Sequence, residues 1–119
     1  NILNVKRIDH GVQCLKDEKL VEKLSINQIP LTVCPLSNIK LKVFDKLEEH
    51  NLKKIINKDL MATVNSDDPA YFGGYLNENL IQVQSALNLS RQEIKTLIIN
   101  SFKSSFLNEN EKNNWISKF

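Results

Sequence analysis

The sequence is poor in cysteine, and this shortage excludes two common kinds of site. Its 119 residues include only Cys14 and Cys34, which are too few for a zinc site built from four thiolates. Their separation of twenty residues does not suggest a C-x-x-C redox pair either. We therefore expect two free thiols in a reducing compartment, and we expect the protein to be cytoplasmic.

Arginine is also scarce, although the chain is weakly basic. There are 16 Lys and Arg residues against 14 Asp and Glu, which gives a net charge of +2. Almost all of the basic residues are lysines spread singly along the chain, and only Arg7 and Arg91 offer the bidentate guanidinium group. Because nucleic-acid binding needs a clustered basic surface, we expect no nucleic-acid partner.

Long apolar runs are missing as well. No stretch approaches the roughly 20 apolar residues that cross a bilayer, and no signal-peptide pattern is visible in these residues, so we expect no membrane partner. The apolar share of 41% and the charged share of 25% are typical of a folded globular protein. No repeat or low-complexity segment divides the chain, and we treat residues 1–119 as a single segment.

What the chain does contain is three short segments that are predicted to be β-strands. They are Val5–Asp9, Leu31–Cys34 and Met61–Asn65. None of them alternates polar with apolar residues, which is typical of parallel strands covered on their faces. Helical patterns separate the segments, giving the order β-α-β-α-α-β-α-α-α. This order favours an α/β fold with a parallel sheet.

Capping residues and apolar spacing predict the helices. Asp17 is a predicted N-cap, and Ser90 with Glu93 is a predicted capping box. The apolar helix faces are formed by Leu20, Val21 and Leu24; Val43, Phe44 and Leu47; Leu52, Ile55 and Ile56; Leu76, Leu80, Val83 and Leu87; Ile94, Leu97, Ile98 and Phe102; and finally Trp115 and Phe119.

Three smaller features have structural interpretations. The CPLSN segment, residues 34–38, is predicted to be a rigid turn after the second strand. Gly73 and Gly74 lack the spacing of a phosphate-binding loop and are expected to form a backbone bend. His50 follows two glutamates at the end of a helical piece, where we expect it to be exposed to solvent and favoured when protonated.

Polar residues follow the C-terminal end of each predicted strand: His10 after the first, Ser37 and Asn38 after the second, and Asp67 and Asp68 after the third. Parallel α/β folds bind ligands at this edge. Adjacent carboxylates repel one another unless they are solvated or a cation or polar ligand offsets the repulsion, and an aspartate can ligate a divalent metal. The structural alternatives are a buried histidine and aspartates that cap the following helix, but the shared edge favours one site.

Three motifs together resemble the adenosine/adenine deaminase family. They are R-I-D-H-G at residues 7–11, T-V-C-P-L-S-N at 32–38 and V-N-S-D-D-P at 64–69, in the family's order and at fitting intervals. K-S-S-F-L at 103–107 is similar as well, and D-D-P-A-Y-F-G-G-Y at 67–75 is more similar to the adenine deaminase branch. The resemblance covers essentially the whole chain but only the C-terminal part of the family's sequence.

The resemblance implies an α/β fold, in which the chain is the C-terminal portion, strands 6–8 with their helices, of a TIM (β/α)8 barrel with parallel strands. It also implies one catalytic Zn2+ at the C-terminal rim, as in the metal-dependent amidohydrolase superfamily. Asp67 matches the aspartate that ligates zinc, and Asp68 matches its neighbour, which hydrogen-bonds the purine. His10 matches the catalytic histidine that orients the attacking water and helps to deprotonate it.

The family's remaining catalytic residues have no counterpart in these 119 residues, which contain two histidines. They are an H-x-H pair, a third histidine and a proton-shuttling glutamate, so we expect this chain alone to be inactive. For the intact enzyme, the resemblance implies hydrolytic deamination of adenine to hypoxanthine with release of ammonia. The alternatives are deamination of adenosine to inosine, another metal-dependent amidohydrolase reaction, and a non-enzymatic α/β ligand-binding module.

The beginning of the sequence and the small sheet suggest a partner. The chain starts with Asn1 rather than Met, as though cut from a longer enzyme, and the N-terminal part of the barrel would then complete it. Three parallel strands alone leave two open edges. We expect these edges to pair with another copy of the chain, forming a homo-oligomer, or to be covered by the remaining helices.

Overall fold

The computed structural model describes residues 4–119; Asn1 lies outside this range. Its sheet has three strands, β1 (Ile8–Asp9), β2 (Leu31–Val33) and β3 (Ala62–Val64). Their order is β1-β2-β3, and both neighbouring pairs are parallel. The prediction of three parallel strands is confirmed, although each strand is shorter than the segment predicted for it.

The strand register places the three C-terminal ends at one edge of the sheet. Leu31 pairs with Ile8 on one side and with Ala62 on the other. The ladder continues one residue beyond the outer strands, because the His10 amide donates to the Thr32 carbonyl at 3.0 Å and the Asn65 amide donates to the Val33 carbonyl at 2.9 Å. The segments that follow the strands therefore start from fixed backbone positions.

Seven α-helices accompany the sheet in the described part of the chain. They are α1 (Glu18–Asn27), α2 (Pro35–Lys40), α3 (Leu52–Asn57), α4 (Pro69–Phe72), α5 (Leu76–Leu87), α6 (Arg91–Lys103) and α7 (Glu109–Ile116). Short 3-10 helices occupy Val12–Lys16 and Leu47–Glu49. Both predicted caps are confirmed: Asp17 accepts from the Leu20 amide at 3.1 Å, and Ser90 with Glu93 forms a reciprocal capping box.

The hydrophobic core lies between the helices and one face of the sheet. Its fully buried side chains come from two strands and three helices: Leu31, Val33, Ala62, Leu52, Ile55, Val83 and Leu97. The opposite face is polar, and Arg7, Asp9, Thr32 and Asn65 line an open depression of about 380 Å³ there. Among residues 4–119, no helix combines the length and apolarity that crossing a membrane requires.

Two loop predictions were wrong. Residues 34–38 do not form a turn, because Pro35 begins α2, a position where its fixed φ angle suits a helix. The helical piece predicted around Val43, Phe44 and Leu47 is mostly bends, with only the short 3-10 helix Leu47–Glu49. Gly73 and Gly74 adopt φ angles of 76° and 114°, in keeping with the predicted bend.

The prediction for His50 was also wrong, because its imidazole is buried rather than exposed. Its Nδ1 accepts from the Leu52 amide at 3.0 Å, and its Nε2 lies 3.0 Å from Oδ1 of Asn38. Since an amide N–H can only donate, the proton of the neutral ring sits on Nε2 and is donated to Asn38. Burial lowers the pKa of His50 to about 4, so near neutral pH it is an uncharged link between the segment preceding α3 and helix α2.

Candidate active site

His10 and Asp67 meet at the C-terminal edge of the sheet. Nε2 of His10 lies 3.8 Å from Oδ2 of Asp67, although the two residues follow different outer strands. Each has a φ angle of 58°, in the left-handed region that non-glycine residues rarely adopt. Backbone strain of this kind clusters at functional sites. The structure thus brings together the imidazole and the first of the two acids that the sequence predicted at one edge.

Gly11 and Thr32 fix the backbone of His10. Gly11 has a φ angle of 73°, and a Cβ atom there would lie 2.7 Å from Cδ2 of Leu31. The His10 amide also lies 3.3 Å from the Thr32 hydroxyl oxygen. The imidazole itself is partly open to solvent, while its Nδ1 is buried and has no hydrogen-bond partner among residues 4–119. The ring therefore presents Nε2 to Asp67.

Helix α2 positions Asp67 from the neighbouring strand. The hydroxyl of Ser37, which is fully buried, donates to Oδ2 of Asp67 at 2.8 Å. The next residue of this helix, Asn38, accepts from Nε2 of His50. Because neighbouring residues of α2 bond to Asp67 and to His50, the helix holds the Ser37 hydroxyl in a fixed position. The sequence placed Ser37 and Asn38 at this edge but gave them no role.

Cys34 supplies a third donor atom that the sequence interpretation missed. One ligand atom each of His10, Cys34 and Asp67 lies within 4.8 Å of the other two. Burial first, and then the charges of Asp67 and Asp9, raise the pKa of Cys34 to about 12, so without a cation it is a neutral thiol. The sequence feature that could have identified Cys34 is its position directly after β2, which places it at the same edge as the other two residues. Cys14 and Cys34 are both free, as predicted.

This donor set fits a borderline-soft metal. Imidazole nitrogen, thiolate sulfur and carboxylate oxygen are the three ligand types that Zn2+ takes in proteins. Three such donors around one point leave further coordination positions for water or for ligands from other residues. Asp67, exposed to solvent and held by Ser37, therefore offers an oxygen donor at this edge, and its role as a metal ligand stays a prediction.

Asp68 has a different environment from Asp67. Its Oδ1 accepts from the Tyr71 amide at 3.3 Å, so that Asp68 caps α4, which begins at Pro69. Capping was the structural alternative raised for this acid. It uses one carboxylate oxygen and leaves the second available, so contact with a substrate remains a prediction.

Asn79 is a second residue that sequence reasoning missed. It is fully buried on α5, where its Oδ1 accepts from the Leu36 amide at 3.2 Å and its Nδ2 donates to the carbonyls of Gly74 and Tyr75. It thereby ties the start of α2 to the loop that follows α4. The sequence feature that could have identified Asn79 is an amide side chain within the apolar face of a helix, one residue before Leu80.

Comparison with known proteins bears directly on these features. The family model for adenosine deaminase matches residues 1–119. The chain belongs to the adenosine deaminase family. The resemblance predicted from the three motifs is confirmed.

Relatives of this deaminase-family chain match it over only part of their own length. An adenine deaminase from Crocosphaera subtropica is 60% identical over 112 residues, which make up 94% of this chain and 34% of the relative. The crystal structure of adenine deaminase from Arthrobacter aurescens has a TM-score of 0.96 and 45% identity, covering 98% of this chain and 36% of that one. The chain thus spans about a third of the length of these relatives.

A more distant structure shares the fold. A zinc-bound amidohydrolase from Burkholderia ambifaria has a TM-score of 0.89 at 22% identity, covering 98% of this chain and 33% of that one. The three parallel strands with their helices match a portion of these TIM-barrel structures. The predicted fold class is confirmed.

Proposed function

We propose that this chain is the C-terminal part of the barrel domain of a zinc-dependent adenine deaminase, which converts adenine and water into hypoxanthine and ammonia. The observation that carries the proposal is the His10–Asp67 pair, whose Nε2 and Oδ2 atoms lie 3.8 Å apart at the C-terminal edge of the sheet. The supporting comparison is the 60% identity to an adenine deaminase. Residues 1–119 act as a single segment, completed by catalytic residues outside it.

Asp67 is the metal ligand in this proposal. The Ser37 hydroxyl, 2.8 Å from its Oδ2, restricts rotation of the carboxylate before the metal arrives, and such supporting hydrogen bonds raise metal affinity. Zn2+ held by Asp67 and by ligands from outside this segment would supply a nucleophile at neutral pH, because the ion lowers the pKa of water towards about 7.

His10 is the group that handles the proton of the attacking water. Its Nε2 atom faces Asp67, and an imidazole in this position orients the water through a hydrogen bond and accepts its proton at Nε2. Protonated His10 beside Asp67 then holds the positive charge in place. The left-handed backbone at His10 and the adjacent Gly11 keep the ring at this edge.

Asp68 holds the purine. Its carboxylate sits at the start of α4, next to the proposed metal ligand, and would pair with a ring nitrogen that carries a proton. A hydrogen bond of this kind would discriminate against bases that lack the donor. The substrate is thus a small purine, and two buried free thiols support a cytoplasmic location for the enzyme.

A chimera tests the function without relying on the isolated chain. The matched 112 residues of the Crocosphaera enzyme are replaced by the corresponding residues of this chain, and ammonia release is measured with adenine and with adenosine. We expect turnover of adenine, and loss of that turnover in Asp67→Ala. Preference for adenosine would replace the proposed substrate. A folded, zinc-loaded chimera that deaminates neither purine would contradict the proposal.

A further inference from the structure

We propose that His50 is a positioning residue for Asp67, and that it acts on this carboxylate through Asn38 and Ser37 of helix α2. The inference rests on the proposed function, in which Asp67 holds the metal. His50 stands outside the site itself, because its two ring nitrogens are engaged by the Asn38 side chain and by the Leu52 amide. Its contribution to the site is therefore the position of α2.

Helix α2 depends on its neighbours for its position. It has six residues, and a helix this short is marginal on its own hydrogen bonds. Its first turn is anchored by Asn79, whose Oδ1 accepts from the Leu36 amide at 3.2 Å. Its middle is anchored by the bond between His50 and Asn38. Ser37 lies between the two anchored residues, so both anchors determine the direction of its hydroxyl.

His50 can serve as an anchor because it is itself fixed. It is only 3% exposed, and its ring packs on the ring of Phe44 with the centroids 4.5 Å apart. Its Nδ1 accepts from the amide of Leu52, which begins α3 and is fully buried in the core. His50 therefore connects the core to α2 without a mobile element between them.

The connection continues to the carboxylate through adjacent residues of α2. Nε2 of His50 lies 3.0 Å from Oδ1 of Asn38, and the Ser37 hydroxyl donates to Oδ2 of Asp67 at 2.8 Å. Ser37 and Asn38 are both buried, so a broken bond at either residue leaves a polar group without a partner, which is costly. A displaced α2 would deprive Asp67 of its donor, and supporting bonds of this kind change metal affinity by about 10–100-fold.

Two substitutions of His50 separate this role from a purely structural one. Asparagine places its amide oxygen near the position of Nδ1, so His50→Asn keeps an acceptor for the Leu52 amide but is too short to reach Asn38. Glutamine places its amide nitrogen near the position of Nε2, so His50→Gln keeps the donor to Asn38 and loses the acceptor for Leu52. Both variants are made in the Crocosphaera chimera. Competition with a chelator measures zinc affinity, and urea denaturation measures stability.

The proposal predicts different zinc affinities for these variants. His50→Asn should weaken zinc binding about tenfold, whereas His50→Gln should bind zinc as the unmodified chimera does. In a Ser37→Ala background, His50→Asn should weaken binding no further, because His50 acts through Ser37. Equal affinities of the two His50 variants would overturn the proposal, and so would losses that add to that of Ser37→Ala.

Asn38→Ala tests the same link from its other end, and it decides the question if His50→Asn does not fold. This variant leaves the bond between His50 and Leu52 in place and should also weaken zinc binding about tenfold; an unchanged affinity would overturn the proposal. Ammonia release is recorded separately. A zinc-binding chimera that deaminates no purine contradicts the proposed function, whereas an active chimera whose variants all bind zinc equally contradicts only this inference.

Discussion

The Ser37 hydroxyl donates to Oδ2 of Asp67 at 2.8 Å, and Nε2 of His10 lies 3.8 Å from the same oxygen. One carboxylate oxygen is therefore shared between a hydroxyl from the second strand's helix and an imidazole that follows the first strand. This relationship joins the ends of all three strands into one site. Because Ser37 is not itself a proposed ligand, a substitution at Ser37 tests its effect on metal affinity while the ligands stay unchanged.

Ser37→Ala should lower zinc affinity about 10–100-fold, because Asp67 loses the donor that orients it. The chain should remain folded, with a loss of about 1 kcal/mol in the free energy of unfolding. Isothermal titration with zinc measures the affinity. Ser101→Ala is the control, since the Ser101 hydroxyl bonds to a carbonyl of its own helix. Equal affinities in the two variants would refute the role of Ser37.

Asp67 and Asp68 should respond differently to substitution in the chimera. Asp67→Ala should abolish deamination, whereas Asp68→Ala should mainly raise KM, by about 10–100-fold for a lost hydrogen bond to a charged group. Asp68→Asn separates the two functions of this residue, because asparagine is a good N-cap for α4 but carries no charge. If Asp68→Asn restores the normal KM, Asp68 acts through the helix and not through the purine.

His50 should make the stability of the fold depend on pH. Burial lowers its pKa from 6.5 to about 4, so the folded state resists protonation that the unfolded state accepts. Stability is therefore complete above about pH 6.5 and is lost progressively as the pH falls to about 4, by on the order of 3 kcal/mol. Urea denaturation across this range measures the slope.

The two histidines provide a matched pair for this experiment. His50→Gln should flatten the dependence of the free energy of unfolding on pH between pH 4 and 6.5. His10→Gln retains His50 and should leave that dependence unchanged. A slope that survives in His50→Gln would mean that other groups are responsible for it. The variant should also be less stable near neutral pH, since the links to Asn38 and Leu52 are altered.

Asn79→Ala should lower the free energy of unfolding by about 2 kcal/mol or more. The substitution leaves the Leu36 amide and two carbonyls without their side-chain partner in a buried place. Asn27 is the control, because its amide also bonds to a carbonyl but is exposed, and Asn27→Ala should change the free energy by less than about 0.5 kcal/mol. Equal effects would contradict the structural role of Asn79.

The strand ends could be predicted from the sequence because the signals there are local. Short segments without polar alternation indicate parallel strands; His10 directly follows the first of them, and Asp67 comes two residues after the third. Parallel pairing alone then brings them to one edge. The caps at Asp17 and Ser90 were predictable for the same reason, since each bonds within its own first turn.

The missed features depend on contacts that are distant along the chain. His50 followed two glutamates and resembled a surface residue, yet its partner Asn38 is twelve positions away. Asn79 contacts Leu36 across 43 positions. Sequence periodicity does not reveal such pairs. The proximity of Cys34 to Asp67 likewise became evident only from the structure of the sheet. Side-chain partners, unlike strand order, had to be read from the structure.

The most direct test of the account is the position of zinc in the chimera, measured by anomalous X-ray diffraction at the zinc edge. We predict a single strong peak about 2.0–2.2 Å from the Asp67 carboxylate, on the side facing Nε2 of His10. A zinc peak that lies away from Asp67, in a chimera that still deaminates adenine, would contradict the site described here.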